Sequence, residues 1–511
     1  MKNNFLKSVL VLVTGSLLLA NTSCNKLEDF GDTNVNPLGA TAPITAALLT
    51  NALSQLGGLA QSTRPALYVQ YIAETQYTET SLYQEPQLEF GGTFAGPMYD
   101  LQSIINRNSN AATAGQFAGS GSSANQIAVA TIVKSYYAWT LTDRWGDIPY
   151  SESLKGAANF FPVFDKQEDI YVKMIEDLKV ANATFDAGLP VRGDIVYGGN
   201  QTKWKKLANT LRMQMAMRLS LKFPNAGGYA ATQFALAIND PAGYISSNAD
   251  NFTLVYPSGS VYQSPWFSNY NGRTDFAVSK TVGDILANMG DGRRAAFGSS
   301  GFTFPYGLTR AQAITLPTNY GTVFEESRRR DNSPVVMMSA SYALLTIAEA
   351  IERGWIPSGT QGNTANSAYN AGVIASFEQW GLTTGPAYVN GSAARYTDGT
   401  GGGMGIGNSP TFNQLPLTSS AVTTTNIQRI ALQKYLSLFG DGIQAWSEFR
   451  RLDFPQLQPT TNAINVAAGK QIPTRYVYGI NEYSLSPDKV GAAVTRLPGG
   501  DKMNSKVWWD Q

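Results

Sequence analysis

Three carboxylates stand close together in DRWGDIPYSE at 143–152, namely Asp143, Asp147 and Glu152. Two carboxyl groups facing each other across a cleft are the equipment of glycoside hydrolysis, one as acid and the other as base or nucleophile. The competing reading is a turn after a helix, with Trp145 and Tyr150 packed and Asp147 bonded to backbone. The chain holds no histidine, where average usage would give on the order of ten. That excludes Ser-His-Asp and Cys-His catalysis and removes the commonest transition-metal ligand, but it leaves carboxylate chemistry open.

A different chemistry needs no catalyst. Sugar binding calls for flat apolar faces against ring C–H surfaces and planar polar groups for hydroxyls. The sequence carries 9 Trp, 25 Tyr and 23 Phe. Two stretches are aromatic without helical periodicity. Residues 256–276 (YPSGSVYQSPWFSNYNGRTDF) hold Tyr262, Trp266, Tyr270 and Asn271, with Pro257, Gly259, Pro265 and Gly272 breaking the segment into turns. Residues 77–90 (YTETSLYQEPQLEF) hold Tyr77, Tyr83, Gln84 and Glu85. We expect Trp266, Tyr262 and Tyr270 to form an aromatic platform, with Asn271 serving hydroxyls and Tyr77 and Tyr83 as further candidates. The alternative is that these rings pack loops onto a scaffold. Arg273 and Asp275 read as structural. The Gly-rich GTGGGMGIG at 399–407 lacks the Lys-Ser/Thr ending and preceding strand of a phosphate loop, so it reads as a flexible loop; no cofactor and no metal ligand is assigned.

The single cysteine, Cys24, has no disulfide partner. Lys2 and Lys7 precede an apolar run at 8–20 (SVLVLVTGSLLLA), too short to span a bilayer, which takes about 20 residues. It has the length of a signal-peptide core. Cys24 then reads as a lipidation site, although Asn21 stands where the usual box has Leu. Acyl chains there would hold the protein on a membrane without a spanning helix. The expected division is a signal peptide at 1–23 and one domain over 24–511. Formal charge is +1, so no basic field exists to attract nucleic acid.

Helices must position the candidate residues. Within 201–222, Trp204, Leu207, Ala208, Leu211, Met215 and Leu219 recur at three- and four-residue steps, with Lys203, Lys206, Arg212 and Lys222 largely off that face. The pattern recurs in 166–185, where Asp165 is placed to cap the helix and Glu168 to complete a capping box. Segments pair as 125–142 with 166–185, 201–222 with 229–238, 335–353 with 363–380, and 426–438 with 441–451. Paired antiparallel helices stacked on neighbours make an irregular, mostly α solenoid carrying long loops.

Motifs in fixed order then give a resemblance. RWGDIPYSESL at 144–154 is followed by PVFDKQEDIY at 162–171 and GDIVYGGNQTKWKKLANTLRMQMAMRL at 193–219. AEAIERGW at 348–355, NIQRIALQKYLSLFGDGIQAWSEFRR at 426–451, IPTRYVYGINEY at 472–483 and KVWWD at 506–510 complete the set. Together they resemble the SusD/RagB family of nutrient-binding outer-membrane lipoproteins of the Bacteroidota. Gly292 departs from it, standing where the family has Pro. The resemblance implies a tetratricopeptide-like scaffold of helix pairs with a loop-rich ligand-binding portion. It further implies a lipoprotein on the outer face of the outer membrane, with Glu28 and Asp29 in the place of an export signal. Its partner would be a SusC-like TonB-dependent transporter, and its ligand an oligosaccharide or a peptide. A surface-anchored carboxylate glycosidase and a solenoid that holds other proteins remain the alternatives.

Overall fold

The computed structural model describes residues 44–391, 425–465 and 471–511. Cys24, Glu28, Asp29 and the 399–407 glycine run lie outside them.

The protein is mostly helical. Among the described residues, ten helices of ten residues or more carry the architecture. They are α1 (Thr45–Ser54), α2 (Tyr99–Ser109), α3 (Ser123–Trp145), α4 (Gln167–Thr184), α5 (Gln201–Arg218), α6 (Tyr229–Ile238), α7 (Ala340–Glu352), α8 (Ala365–Gln379), α9 (Asn426–Ser437) and α10 (Gly442–Leu452). The four expected pairs all form: α3 packs on α4, α5 on α6, α7 on α8, and α9 on α10. The pairs also stack, through α4 on α5 and α7 on both α5 and α9. Among the described residues no helix is long and apolar enough to cross a membrane.

Local chemistry sets the helix ends. Ser122 caps α3 by accepting from Asn125 N, and Gly146, at φ 88°, ends it in a conformation that side chains disfavour. Asn200 caps α5 through Lys203 N. Thr364 and Thr425 open α8 and α9 with reciprocal capping boxes to Ser367 and Gln428.

The cap of α4 differs from the sequence expectation. Its N-cap is Lys166, which makes no side-chain cap bond. Asp165 turns back and accepts from Tyr150 N at 2.8 Å and Ser151 N at 2.9 Å. The orphan amide of Gln167 is met instead by Asp147 Oδ1 at 2.8 Å, a cap supplied from 20 residues upstream.

On α5 the expected apolar face is fully buried from Trp204 to Leu219. Arg212 and Arg218 are buried as well, because α4 and α7 cover this helix from more than one direction. The segment 335–353 is not helical throughout. Val335–Met338 is strand β6, and the helix starts only after its cap, Ser339. β-Branched Val335 and Val336 favour the extended form there.

Among the described residues, strands are short and come as three antiparallel pairs. β1 (Ile72–Glu74) pairs with β5 (Phe276–Val278), with Ile72 opposite Val278 and Glu74 opposite Phe276. β2 (Ile148–Pro149) pairs with β3 (Phe164–Asp165), and β4 (Phe252–Leu254) with β6. The first pair matters for function, since it joins the two aromatic loop segments.

Candidate ligand-binding surface

Beyond the β1–β5 ladder, Thr75 N donates to Asp275 O at 2.9 Å and Thr75 Oγ1 to Thr274 O at 2.7 Å. These bonds fix the start of the 77–90 loop against the end of the 256–276 loop. Tyr77 emerges two residues later with 47% of its surface exposed. The guanidinium of Arg273 lies 5.6 Å from its ring centre and that of Arg310 5.2 Å. Both separations lie within cation–π range. Arg273 is anchored by Asp275 at 2.5 Å. Tyr320 joins from a third loop, its hydroxyl donating to Thr274 O at 2.9 Å. Phe302 shares a backbone bridge with Tyr320 and is partly exposed. Tyr77 and its two guanidinium neighbours thus stand beside Tyr320 and Phe302, where backbone and hydroxyl bonds hold distant segments together.

The proposed Trp266 platform is not open in this structure. Pro265 occupies the first turn of a short helix, Pro265–Asn269, which turns Trp266 inward. Its indole is only 3% exposed and packs edge-on against Phe276 at 5.8 Å and Phe324 at 6.2 Å. Tyr270 backs it at 6.0 Å. The Tyr270 hydroxyl donates to Phe276 O and accepts from Val323 N, so it staples the loop to its neighbours. The turns that were to keep these rings exposed therefore lead into a local helix with a buried face. Tyr83 is also buried, edge-on to Tyr68 at 6.1 Å. Tyr262 is exposed, but it lines a different groove, of about 470 Å³, with Ile195, Val255 and residues of α1. Asn271 is exposed.

Of the sequence candidates, then, Tyr77 meets the end of the 256–276 loop, while Trp266 and Tyr83 lie beneath the surface and Tyr270 is partly buried. Arg310, Phe302 and Tyr320 were missed. They sit in another stretch of aromatics among Gly and Pro, the same signal that singled out 256–276.

The carboxylates of 143–152 do not face a common cleft. Asp143 is fully buried, accepting from Tyr171 and from Trp509 Nε1 and lying 3.7 Å from Arg218. Asp147 caps α4 and pairs with Arg496 at 2.5 Å. Glu152 accepts from Asn159 at 3.2 Å and Val163 N at 3.3 Å. A groove of about 530 Å³ lies between α2, α3 and α4, but several of its polar groups bond to one another, as in Lys134 to Gln102 at 2.8 Å. Among the described residues no group of three acidic or cysteine side chains is placed to hold a metal ion.

Residues 37–479 match the family model described as starch-binding and associating with the outer membrane. The chain belongs to the SusD-like family. Solved structures of SusD-like proteins agree in fold. A chitin-binding protein, 26% identical, superposes with a TM-score of 0.73 over 91% of this chain and 99% of its own. A SusD homologue from Bacteroides uniformis, 24% identical, gives 0.75 over 92% and 100%. A chitin-binding SusD homologue from Flavobacterium johnsoniae, 23% identical, gives 0.71 over 91% and 98%. No curated protein matches the chain. This SusD-like chain thus belongs to a family of binding proteins that associate with the outer membrane.

Proposed function

We propose that this SusD-like protein is a cell-surface lipoprotein that captures oligosaccharides and passes them to a SusC-like TonB-dependent transporter. Residues 1–23 are removed on export, Cys24 carries the lipid, and 24–511 form the binding domain. The observation that carries the reading is the half-exposed Tyr77 ring, with Arg273 and Arg310 beside it, at the junction of three loops. A phenol ring gives a sugar its apolar contact, and guanidinium N–H groups bond hydroxyls in a fixed fork. Loops fixed on a rigid helical scaffold are a usual place for binding. The starch-binding description of the family and the chitin-binding neighbours favour a glycan over a peptide.

Two experiments test it. Calorimetric titration with malto-oligosaccharides and chito-oligosaccharides should show binding without cleavage of the sugar. Mild detergent extraction of the outer membrane should bring the protein out with a much larger TonB-dependent barrel. Release of free reducing ends would favour a hydrolase, and isolation of the chain alone under several detergents would remove the transporter from the account.

A further inference from the structure

Residues 320–323 run along the 270–276 turn. Tyr320 donates its hydroxyl to Thr274 O at 2.9 Å, and Val323 N donates to the Tyr270 hydroxyl at 2.9 Å. Three guanidinium groups gather along this turn. Arg310 lies 5.2 Å from the centre of the Tyr77 ring, and Arg273 lies 5.6 Å from the same ring. Arg329 lies 4.2 Å from the Tyr270 ring.

Their charges are unevenly matched. Arg273 directs Nε and Nη2 to one oxygen of Asp275, at 2.6 and 2.5 Å, while its side chain stays 60% exposed. Arg329 donates to Thr322 Oγ1 at 3.2 Å and has no ion pair among the described residues. Arg310 is exposed, and among the described residues its guanidinium has neither a hydrogen bond nor an ion pair. Asp275 is thus the one carboxylate paired with any of the three cations among the described residues. A chain with a formal charge of only +1 gathers unmatched positive charge beside Tyr77. A guanidinium that rests at a ring and not on an acid is free to take a carboxylate in a bidentate fork.

We infer that the Tyr77 site prefers acidic oligosaccharides, chains that carry uronic acids, to neutral chains of the same backbone. A uronic acid keeps the pyranose C–H face that a phenol ring contacts and replaces the hydroxymethyl group with a carboxylate. A sugar resting on Tyr77 lies beside the Arg310 guanidinium, which holds that carboxylate with two parallel N–H bonds. Arg273 adds to the positive field, and Arg329 extends it towards Tyr270. The inference rests on the glycan reading of Tyr77 and adds the charge of the ligand to it.

The test is calorimetric titration of the full chain with oligogalacturonates, oligomannuronates and hyaluronan oligosaccharides. Each is run beside its methyl ester, which removes the charge and keeps the backbone. At least one acidic series should bind at least about tenfold tighter than its ester, equivalent to ~1.4 kcal/mol, and high salt should narrow the gap. Arg310→Gln should bring the acid-to-ester affinity ratio close to one in protein that melts normally. Arg310→Lys, which keeps the charge without the fork, should hold part of the ratio. Asp275→Asn removes the negative charge beside Arg273 and should raise it. Equal affinity of the wild type for acid and ester overturns the inference, as does a ratio unmoved by Arg310→Gln or the absence of binding by every acidic series. Tyr77→Ala separates this outcome from the reading beneath it. If that variant binds neutral sugars more weakly while the wild type binds acid and ester alike, the glycan site stands and only its charge preference falls.

Discussion

Both terminal nitrogens of Arg451 reach the carboxylate of Glu349, at 2.6 and 2.7 Å, with neither side chain exposed to solvent. The pair ties α10 to α7. Lys434 of α9 adds 2.7 Å to Glu349 and 3.1 Å to Glu448. Arg218 of α5 approaches Glu448 at 3.5 Å. Helices from three of the four pairs therefore share one buried charge network. Removing Glu349 would leave Arg451 and Lys434 sharing Glu448 as their one close carboxylate, with a buried cation in excess.

Glu349→Gln should destabilise the protein by about 3–5 kcal/mol in a urea titration. The charge-neutral side chain keeps the volume, so the loss isolates the ion pair. A change below about 1 kcal/mol would mean that water or rearrangement compensates the cations. Burial pushes the Glu349 carboxyl up, but Arg451 and Lys434 more than offset this and hold it well below the usual range. Its folded pKa is thus depressed. The stabilisation is present above the unfolded value, near 4.5, and is lost as pH falls through the folded one.

Asp441 should show the opposite slope. Burial raises its pKa to about 7, while the amide of Gln444, the charge of Arg218 and the amide of Ile443 act to lower it. Tyr71 and Tyr136 lie near enough to feel its charge, and Arg328 lines one cavity with it. With the folded pKa above the unfolded 3.8, ionising the buried acid costs stability increasingly as pH rises from about 4 towards 7. Asp441→Asn should therefore gain on the wild type between pH 5 and pH 8, by roughly 3 kcal/mol at most. Melts at the two pH values check this, and a gain that does not grow with pH contradicts it.

Trp266→Ala should lower the melting temperature and cost about 3–5 kcal/mol, because the indole fills a ring cluster with Tyr270, Phe276 and Phe324. Tyr262→Ala, at a ring 64% exposed, should be within about 0.5 kcal/mol of wild type. Equal stability of the two variants would show that the loop around Trp266 is looser than described.

The contrast between Trp204 and Trp266 shows what the sequence carries. Trp204 lies on a 3.6-residue stripe, and its burial follows from local periodicity alone. Its Nε1 bond to Asp194 at 2.7 Å is a detail that the stripe could not supply. Trp266 sits in a turn-rich stretch with no stripe, so its fate depends on Phe324, 58 positions away in the sequence. The surface around Tyr77 was half legible for the same reason. The sequence marks both aromatic loops, but the β1–β5 ladder that joins them and the approach of Arg310 are long-range facts. Segment 335–353 failed differently, because its apolar run suits strand and helix alike at its start.

Cys24→Ala, expressed without the transporter, should shift the protein from the membrane fraction to the soluble one, since the acyl anchor is then the only attachment that remains. Retention of the variant on membranes after a salt wash would remove the anchor.

The surface at Tyr77 is tested most directly by titrating the wild type and Tyr77→Ala with chito-oligosaccharides and malto-oligosaccharides, with thermal melts of both proteins. Tyr77 is half-exposed, so its loss should leave the melt unchanged and weaken binding by about 1–3 kcal/mol. Equal affinity of the two proteins for a glycan that both bind, or no binding of either sugar series by the wild type, would contradict the account.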